Sequence, residues 1–355
     1  MKLNRELVNY PAARYAAASL SPAVWLCLGA VLGGVWAFLA FLWISGFLFV
    51  ADRLARRIGV LQPTTAEDIW TRRLAIALGA MHFPLLAFAV FALSGGTGLG
   101  LFPWIFTFLG FGLWFGQVSN SVAHELIHRS DRRMSTLGMW MFISLLFGHH
   151  TSSHRLVHHR FVATPDDPNT AAEGESFYSF ALRAWPGAFL AGYEMENALR
   201  EGAGDNARHL HPYGLYLGGA AVCGIILSAA FGPLGLLVYL LLCAHAQAQL
   251  LLSDYVQHYG LGRKKRGMDA YEPFGPQHSW DAPDLVSGLM MLHAPRHADH
   301  HAHPSRPYSE LELSPGGKAP LMPYSLPVMA TLALVPRFWH HLMDPRLRAL
   351  AAGRG

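Results

Sequence analysis

Residues 15–51 of this chain are almost all apolar. A helix crossing a bilayer needs about 20 such residues, so the run is too long for one crossing and long enough for two. Gly29 and Gly33-Gly34 interrupt it. That predicts a tight hairpin of two spans, 15–33 and 35–51. Further apolar runs predict spans at 74–93, 101–123, 214–230 and 234–256, the last two joined by Phe231-Gly-Pro233. Only 14% of the residues are charged and 52% are hydrophobic, whereas a soluble domain usually carries about a quarter charged residues. Much of the surface must therefore face lipid. The expected fold class is all-α: one integral membrane domain over residues 1–355 with six transmembrane helices. Between the spans, residues 134–147 are apolar but short and suit an interfacial or re-entrant helix. Residues 160–212 read as a polar connection with short helices, and 267–320 as loop. Residues 321–341, interrupted by Pro323, Pro327 and Pro336, read as a surface-lying or capping segment.

Charge fixes the orientation. Arg and Lys gather at the N-terminus, at 53–57, 72–73, 129–133 and 263–266, while the turns 29–34, 94–100 and 231–233 carry no charge. Basic residues accumulate on the cytoplasmic side of membranes, so both termini are expected there. The first apolar run continues past the length of a signal peptide and shows no clear cleavage site, so no removal is expected. The net charge of +4 does not point to nucleic acid, because the basic residues sit at span ends rather than in a stripe interleaved with aromatics. Cys27, Cys223 and Cys243 all fall in apolar runs without a CxxC pair. This excludes a disulfide framework, an internal rubredoxin-type iron centre and a cysteine zinc site.

Five histidine motifs remain: His124-Glu-Leu-Ile-His128, His154-x3-His158-His159, Tyr255-Val-Gln-His258, Gln277-His278-Ser-Trp280 and His297-x2-His300-His301. On this topology every one lies at the cytoplasmic end of a span or in a cytoplasmic loop. Residues four apart share a helix face. His124 and His128 are then expected to point together, and so are His154 and His158, with His159 turned roughly 100° away toward a second metal or the far side of the same one. His297, His300 and His301 repeat the pattern. With His258, and His278 set apart, nine histidines have the density of a site for two metals. Imidazole suits iron, zinc, copper and nickel, so the donors alone do not name the ion. His124-Glu125-x2-His128 also matches the zinc metalloprotease pattern, but that reading leaves His154, His158, His159, His297, His300 and His301 without a role. The Glu-x-x-His pattern of soluble di-iron bundles is absent. The isolated His82, His209, His211, His245, His340 and His341 read as caps or packed core groups.

The order HxxxH, HxxxHH, HxxHH within six spans resembles the membrane fatty acid desaturase and hydroxylase superfamily. Ala163-Thr-Pro-Asp-Asp-Pro168, His258-Tyr-Gly-Leu261, His278-Ser-Trp280, Arg296-His-Ala-Asp-His-His-Ala-His-Pro304, Pro186-Gly-Ala-Phe189 and Met343-Asp-Pro345 narrow the resemblance to the bacterial alkane 1-monooxygenases, a group that includes xylene methyl monooxygenase. The resemblance implies that His124, His128, His154, His158, His159, His258, His297, His300 and His301 hold two irons. It implies electrons from a rubredoxin or ferredoxin with its reductase, O2 as oxidant, a hydrophobic substrate drawn from the bilayer, and a place in the bacterial inner membrane. The sequence departs from the family at Ser153, where a Glu is common, at Asp254 and Gln257, which replace Asn and Glu, and at Ala294-Pro295, which replaces Leu-Gln. Glu125, Asp254 and Asp299 are candidate partners of the ligand imidazoles. Trp104, Phe106, Phe108, Phe111, Trp114 and Phe115 are candidates to line a substrate pocket. Arg129 and Arg263-Lys-Lys-Arg266 are candidates to dock an acidic donor. A fatty acyl desaturase or hydroxylase, a zinc intramembrane protease and a histidine-rich metal transporter are the alternatives.

Overall fold

The computed structural model describes residues 11–59, 65–203, 210–267, 270–314 and 317–353. The N-terminal basic residues Lys2 and Arg5, and His209, lie outside them. The protein is helical, with one two-residue ribbon among the described residues, β1 (Lys265–Arg266) against β2 (Ala270–Tyr271).

Helix α1 (Pro11–Leu32) turns directly into α2 (Gly34–Arg57). Gly33 and Gly34 take φ of 62° and 51°, a region that glycine enters without steric cost. A Cβ on Gly29 would lie 2.9 Å from that of Ala40, so the two helices touch backbone to backbone. Helix α3 (Ile69–Gly96) starts at a reciprocal cap, in which Asp68 accepts from the Thr71 amide at 2.7 Å and Thr71 Oγ1 from the Asp68 amide at 3.0 Å. Helix α4 (Leu101–Ile127) follows, then the short α5 (Arg132–Ser144), α6 (150–161) and α7 (Phe177–Ala203).

Helix α8 covers Pro212–His258, 47 residues in all. Drawn straight it would reach about 70 Å, more than twice the hydrocarbon thickness. It is not straight: Gly232 takes φ 70°, ψ −171°, and Gly224 faces Leu236 across the break at ordinary contact distance. The element is therefore a hairpin of two arms. Five helices among the described residues are long and apolar enough to cross a membrane, and the fifth is this hairpin. Val31, Leu217 and Ile225 stand outward and exposed along them, as lipid-facing residues do.

The helix ends sort onto two sides. On one side, Gly33 faces Leu99, Phe91 meets Phe231, and Trp104 Nε1 donates to Leu93 O. On the other, the span ends meet the loop segments. Asp52 accepts from the Val286 and Ser287 amides, Arg56 pairs with Asp284, and Tyr308 donates to Thr71 O. There α9 (Leu285–Met290), α10 (His297–Ala302), α11 (Leu326–Ala333) and α12 (Pro336–Ala351) close the fold.

Two stretches differ from the sequence reading. Residues 177–203 form one helix of 27 residues that runs through Pro186, where the polar, mixed composition suggests short helices. Phe180, Ala184 and Ala188 bury one face while Leu182, Leu190 and Tyr193 stand exposed. Packing of that inner face carries the helix through its proline. Residues 321–341 hold all of α11 and the start of α12, because Pro327 and Pro336 sit in first turns, where the missing N–H costs nothing.

Candidate metal centre

The nine histidines meet at the end of the helices opposite the glycine turns. They form two groups, His124, His128, His154, His159 and His300 in one, and His158, His258, His297 and His301 in the other. Within each, the ligand-capable atoms lie within 4.8 Å of one another. The groups adjoin, with the rings of His159 and His301 4.5 Å apart.

Each helix supplies its share for a local reason. His124 and His128 share a face at the end of α4, as the i, i+4 spacing predicts. The expectation for α6 fails. His154 and His158 belong to different groups, and His154 pairs with His159 instead, Nε2 to Nε2 at 3.0 Å. The cause is a π-helical turn over His154–His158, whose i→i+5 bonding stacks residues five apart. In α10, His297 and His301 keep the four-residue relation with Nε2 atoms 3.0 Å apart. His300 turns to the first group, 3.1 Å from His159. His258, at the end of α8, reaches His297 at 3.1 Å.

Four non-glycine residues among those described have positive φ: Leu146, Ala163, Leu292 and His293. All lie four to eight residues from a motif histidine. Such conformations cost about 1–3 kcal/mol each and persist where surrounding contacts over-determine them. Ala163 is held on both sides: its amide donates to Thr170 Oγ1 and its carbonyl accepts from Arg263.

The donor set fits metal ions. Nε2 atoms of neighbouring histidines stand 2.8–3.1 Å apart. Two nitrogens bound at about 2.1 Å to one ion and at right angles would be about 3 Å apart. The Nε2 atoms of His128 and His158 are buried with no partner among the described residues, a costly state for a polar atom unless something else pairs with it. Burial, and then the neighbouring imidazoles, hold His154, His159, His297, His300 and His301 well below the ordinary imidazole range, so they are neutral and free to bind a metal.

Outer contacts orient two of the rings. His158 Nδ1 donates to Asp167 Oδ2 at 2.9 Å, which turns Nε2 into the second group. Asp167 is fixed in turn by the Thr170 hydroxyl and the Asn169 amide. Burial opposes charge on both partners, yet their pairing raises the His158 imidazole and lowers the Asp167 carboxyl. His258 Nδ1 donates to the carbonyl of His278 at 3.3 Å. The His278-Ser-Trp segment is clamped to the end of α8 by Trp280 N to Gln257 O at 2.8 Å and Trp280 Nε1 to Tyr259 O at 3.0 Å. His278 thus stays out of both groups and steadies His258 through its backbone.

The fatty acid desaturase family matches residues 99–329, more than half of the chain. Alkane 1-monooxygenase 1 of Alcanivorax borkumensis is 33% identical over 299 residues, covering 82% of this chain and 71% of that protein. The chain belongs to the alkane 1-monooxygenase branch of the fatty acid desaturase family. The alkane 1-monooxygenase of Ectopseudomonas oleovorans is 35% identical over 254 residues, 69% of this chain and 61% of that protein. The xylene/toluene monooxygenase hydroxylase component of Pseudomonas putida is 29% identical over 234 residues, 64% of this chain and 60% of that protein.

The three carboxylates singled out in the sequence do not hydrogen-bond to the nine imidazoles of this family member. Glu125 faces Arg129 at 3.6 Å. Asp254 accepts from Asn169 at 2.6 Å. Asp299 is held by Arg306, His303 and the Glu312 amide. The carboxylate that does reach a motif ring, Asp167, lies in the Thr-Pro-Asp-Asp-Pro stretch and was readable only as a family marker. Glu125 turned to Arg129 also removes the base that the zinc-protease reading needs. Among the isolated histidines, His82 bridges Ser119 and Ser144 at 2.8 Å each, and His211 caps α8. His245, His340 and His341 likewise lie outside both groups.

A narrow cleft of about 50 Å³ opens beside the histidines between α4, the second arm of α8 and α11. His124, His154 and His297 form its end, and Gly116, Gln117, Gln249, Leu250, Met291 and Leu326 line its walls. None of the six expected aromatics lines it. Phe111, Trp114 and Phe115 are buried in the helix core, Trp104 stacks on Phe108, and Phe106 packs on Phe38 and Phe41. The aromatic run of α4 lies nearer the glycine-turn side, and the cleft begins only at Gly116. His150, absent from the five motifs, also lines the cleft and stacks on His154 at 4.8 Å.

Proposed function

We propose that this chain is a membrane-bound di-iron monooxygenase that hydroxylates the terminal methyl of a medium-chain alkyl substrate. The observation that carries the reading is the pairing of two adjoining histidine groups with a cleft that ends on members of both. The nine histidines of the two groups would hold two irons, the five-membered group one and the four-membered group the other. Bound there, the irons would supply the oxidising power that an unactivated C–H bond requires. The overall change is R–CH3 + O2 + 2 electrons + 2 protons → R–CH2OH + H2O.

The residues of the chain do the positioning. Asp167 and the His278 carbonyl hold the tautomers of His158 and His258, leaving Nε2 toward the metal in each. Leu250, Met291 and Leu326 line the cleft with apolar surface for the chain end and limit water beside the reacting carbon. The substrate reaches the cleft from the bilayer, and O2 partitions with it.

Electrons would come from a rubredoxin or ferredoxin with its reductase. Lys264, Lys265 and Arg266 are exposed on the β1–β2 ribbon. Phe274, just past that ribbon, packs on His301 with ring centroids 5.0 Å apart. An acidic donor on this basic surface would be one side chain from the second histidine group. Six spans, counting both arms of α8, with both termini and the histidines in the cytoplasm of a bacterial inner membrane, satisfy the charge pattern and this route together.

The test is metal and product analysis of the purified protein with a donor system. About two irons per chain, and 1-alkanols from medium-chain alkanes, are expected. Zinc without iron would overturn the reading. Acyl products alone would move the chain to the desaturases, and benzylic alcohols from xylenes in place of alkanols would favour the activity named for the Pseudomonas putida relative.

A further inference from the structure

Two polar ladders run down the walls of the cleft toward the histidines. On α4, Gln117, Asn120, Ser121 and His124 occupy one face at i, i+3, i+4 and i+7. On α8, Gln249, Ser253, Asp254 and Gln257 descend toward His258. All eight of these ladder residues line the cleft. Most of these groups are already satisfied. Asn120 donates to Gly116 O and Ala246 O, Ser253 to Gln257, Gln257 to Ala294 O, and Asp254 accepts from Asn169.

Gln117 and Gln249 are different. Gln117 Oε1 is buried with no partner among the described residues, and the half-buried Gln249 carboxamide opens onto the cleft. Gln117 is only 6% exposed and its Oε1 is fully enclosed. Both sit in helices that face lipid elsewhere, and an enclosed, unpaired amide oxygen such as that of Gln117 is expensive there. The backbone is also shaped to put them there. A π-helical turn, Phe115–Ser119, contains Gln117, and such turns recur at functional sites. Gly116 has no Cβ, and one added there would collide with Gln249 Cγ.

A bare hydrocarbon leaves both amides unpaired, whereas a hydroxyl on the substrate can donate to Gln117 Oε1 and accept from a carboxamide N–H. We propose that the cleft selects an alkyl chain carrying a hydroxyl, with Gln117 and Gln249 as the specificity-determining residues. The proposal rests on the hydroxylase reading above. Gln117 precedes His124 by seven residues, so the oxygen lies about 10 Å along the helix from the methyl that is oxidised. For an alkanol the change is HO–R–CH3 + O2 + 2 electrons + 2 protons → HO–R–CH2OH + H2O, with electrons from the same iron–sulfur donor.

The experiment measures a medium-chain 1-alkanol and the alkane of equal length in separate initial-rate assays, in membranes supplied with the donor system, reading α,ω-diol formed from the first and 1-alkanol formed from the second. Wild type should favour the functionalised chain by at least about tenfold in kcat/KM, because a site built to hydrogen-bond a group rejects a substrate lacking it. Gln117→Leu and Gln249→Leu should each bring the ratio toward one at unchanged iron content, and Gln117→Asn should keep part of it. A wild-type ratio at or below one overturns the proposal and leaves the hydroxylase reading standing, even if neither leucine variant accumulates. Oxidation of neither compound overturns both. Equal ratios in wild type and the iron-loaded leucine variants would show that the amides do not select.

Discussion

His154 and His159, five residues apart, bring their Nε2 atoms within 3.0 Å of each other, while His158 between them turns to the other histidine group. The π-helical turn that does this makes one short helix serve both groups. A regular α-helix would send His154 and His158 to the same place and leave His159 alone. The helix therefore couples the two groups mechanically, since a change in its winding moves donors in both.

That division predicts how metal is lost. His159→Ala and His300→Ala remove donors from one group, and His158→Ala and His301→Ala from the other. The double variant His159→Ala/His300→Ala is expected to fall from about two irons per chain to about one, and His159→Ala/His301→Ala to lose both, since each buried donor removed weakens a site built from neutral imidazoles. Metal analysis of the purified variants checks this. Equal loss from both doubles would mean that the groups are not separate sites.

Asp167→Asn should keep the fold and weaken the metal site. The amide can still accept from His158 Nδ1, but it no longer carries the charge that raises the basicity of that ring. Replacing such partners typically costs 10–100-fold in metal affinity or activity. The variant should release iron to a chelator at a concentration that leaves wild type loaded. Asp299→Asn, which alters the Arg306 pair instead, should not.

Much of this was legible in the sequence because it depends on local rules. The apolar runs, the charge-free turns and the nine histidines mark the helices and the site directly. The glycine pair at 33–34 marks the first hairpin. What was hidden depends on neighbours far apart in the chain. The partition of the histidines needed a π turn that no spacing rule announces. The partner of His158 is Asp167, nine residues on and across a turn, where Glu125, Asp254 and Asp299 are nearer in sequence to other ligands. The cleft is walled by α4, α8 and α11, so aromatic content in α4 alone pointed to the wrong part of that helix. Residues 177–203 read as short pieces of a polar connection because the buried face that holds the helix together is only visible once its neighbours are in place.

Removing the metal should destabilise the fold on the histidine side. The nine imidazoles crowd their ligand-capable nitrogens within 4.8 Å of one another in each group, and without an ion lone pairs such as those of His128 and His158 Nε2 stay unpaired. An ion present at a hundredfold excess over its Kd stabilises by about 2.7 kcal/mol. Chelation should therefore lower the melting temperature of the detergent-solubilised protein by several degrees, and added ferrous iron should restore it. An unchanged melting curve after complete iron removal would show that the site is held by its packing alone.

Gly29→Val tests the hairpin rather than the chemistry. A Cβ at this position would lie 2.9 Å from Ala40 Cβ and 2.9 Å from the Trp36 carbonyl, and the latter is backbone that cannot rotate away. The two helices must separate to admit the side chain, and overpacking of this kind typically costs 1–3 kcal/mol. Tyr15, lower on the same helix, bonds to His293 at 3.1 Å, four residues before His297. Separation of the hairpin should therefore be felt at the metal site. The variant is expected to melt earlier and to lose iron in the same step, measured by following melting and iron release together. Gly46→Val, where a Cβ would meet Leu42 Cδ2 at 3.6 Å, has room and should melt like wild type.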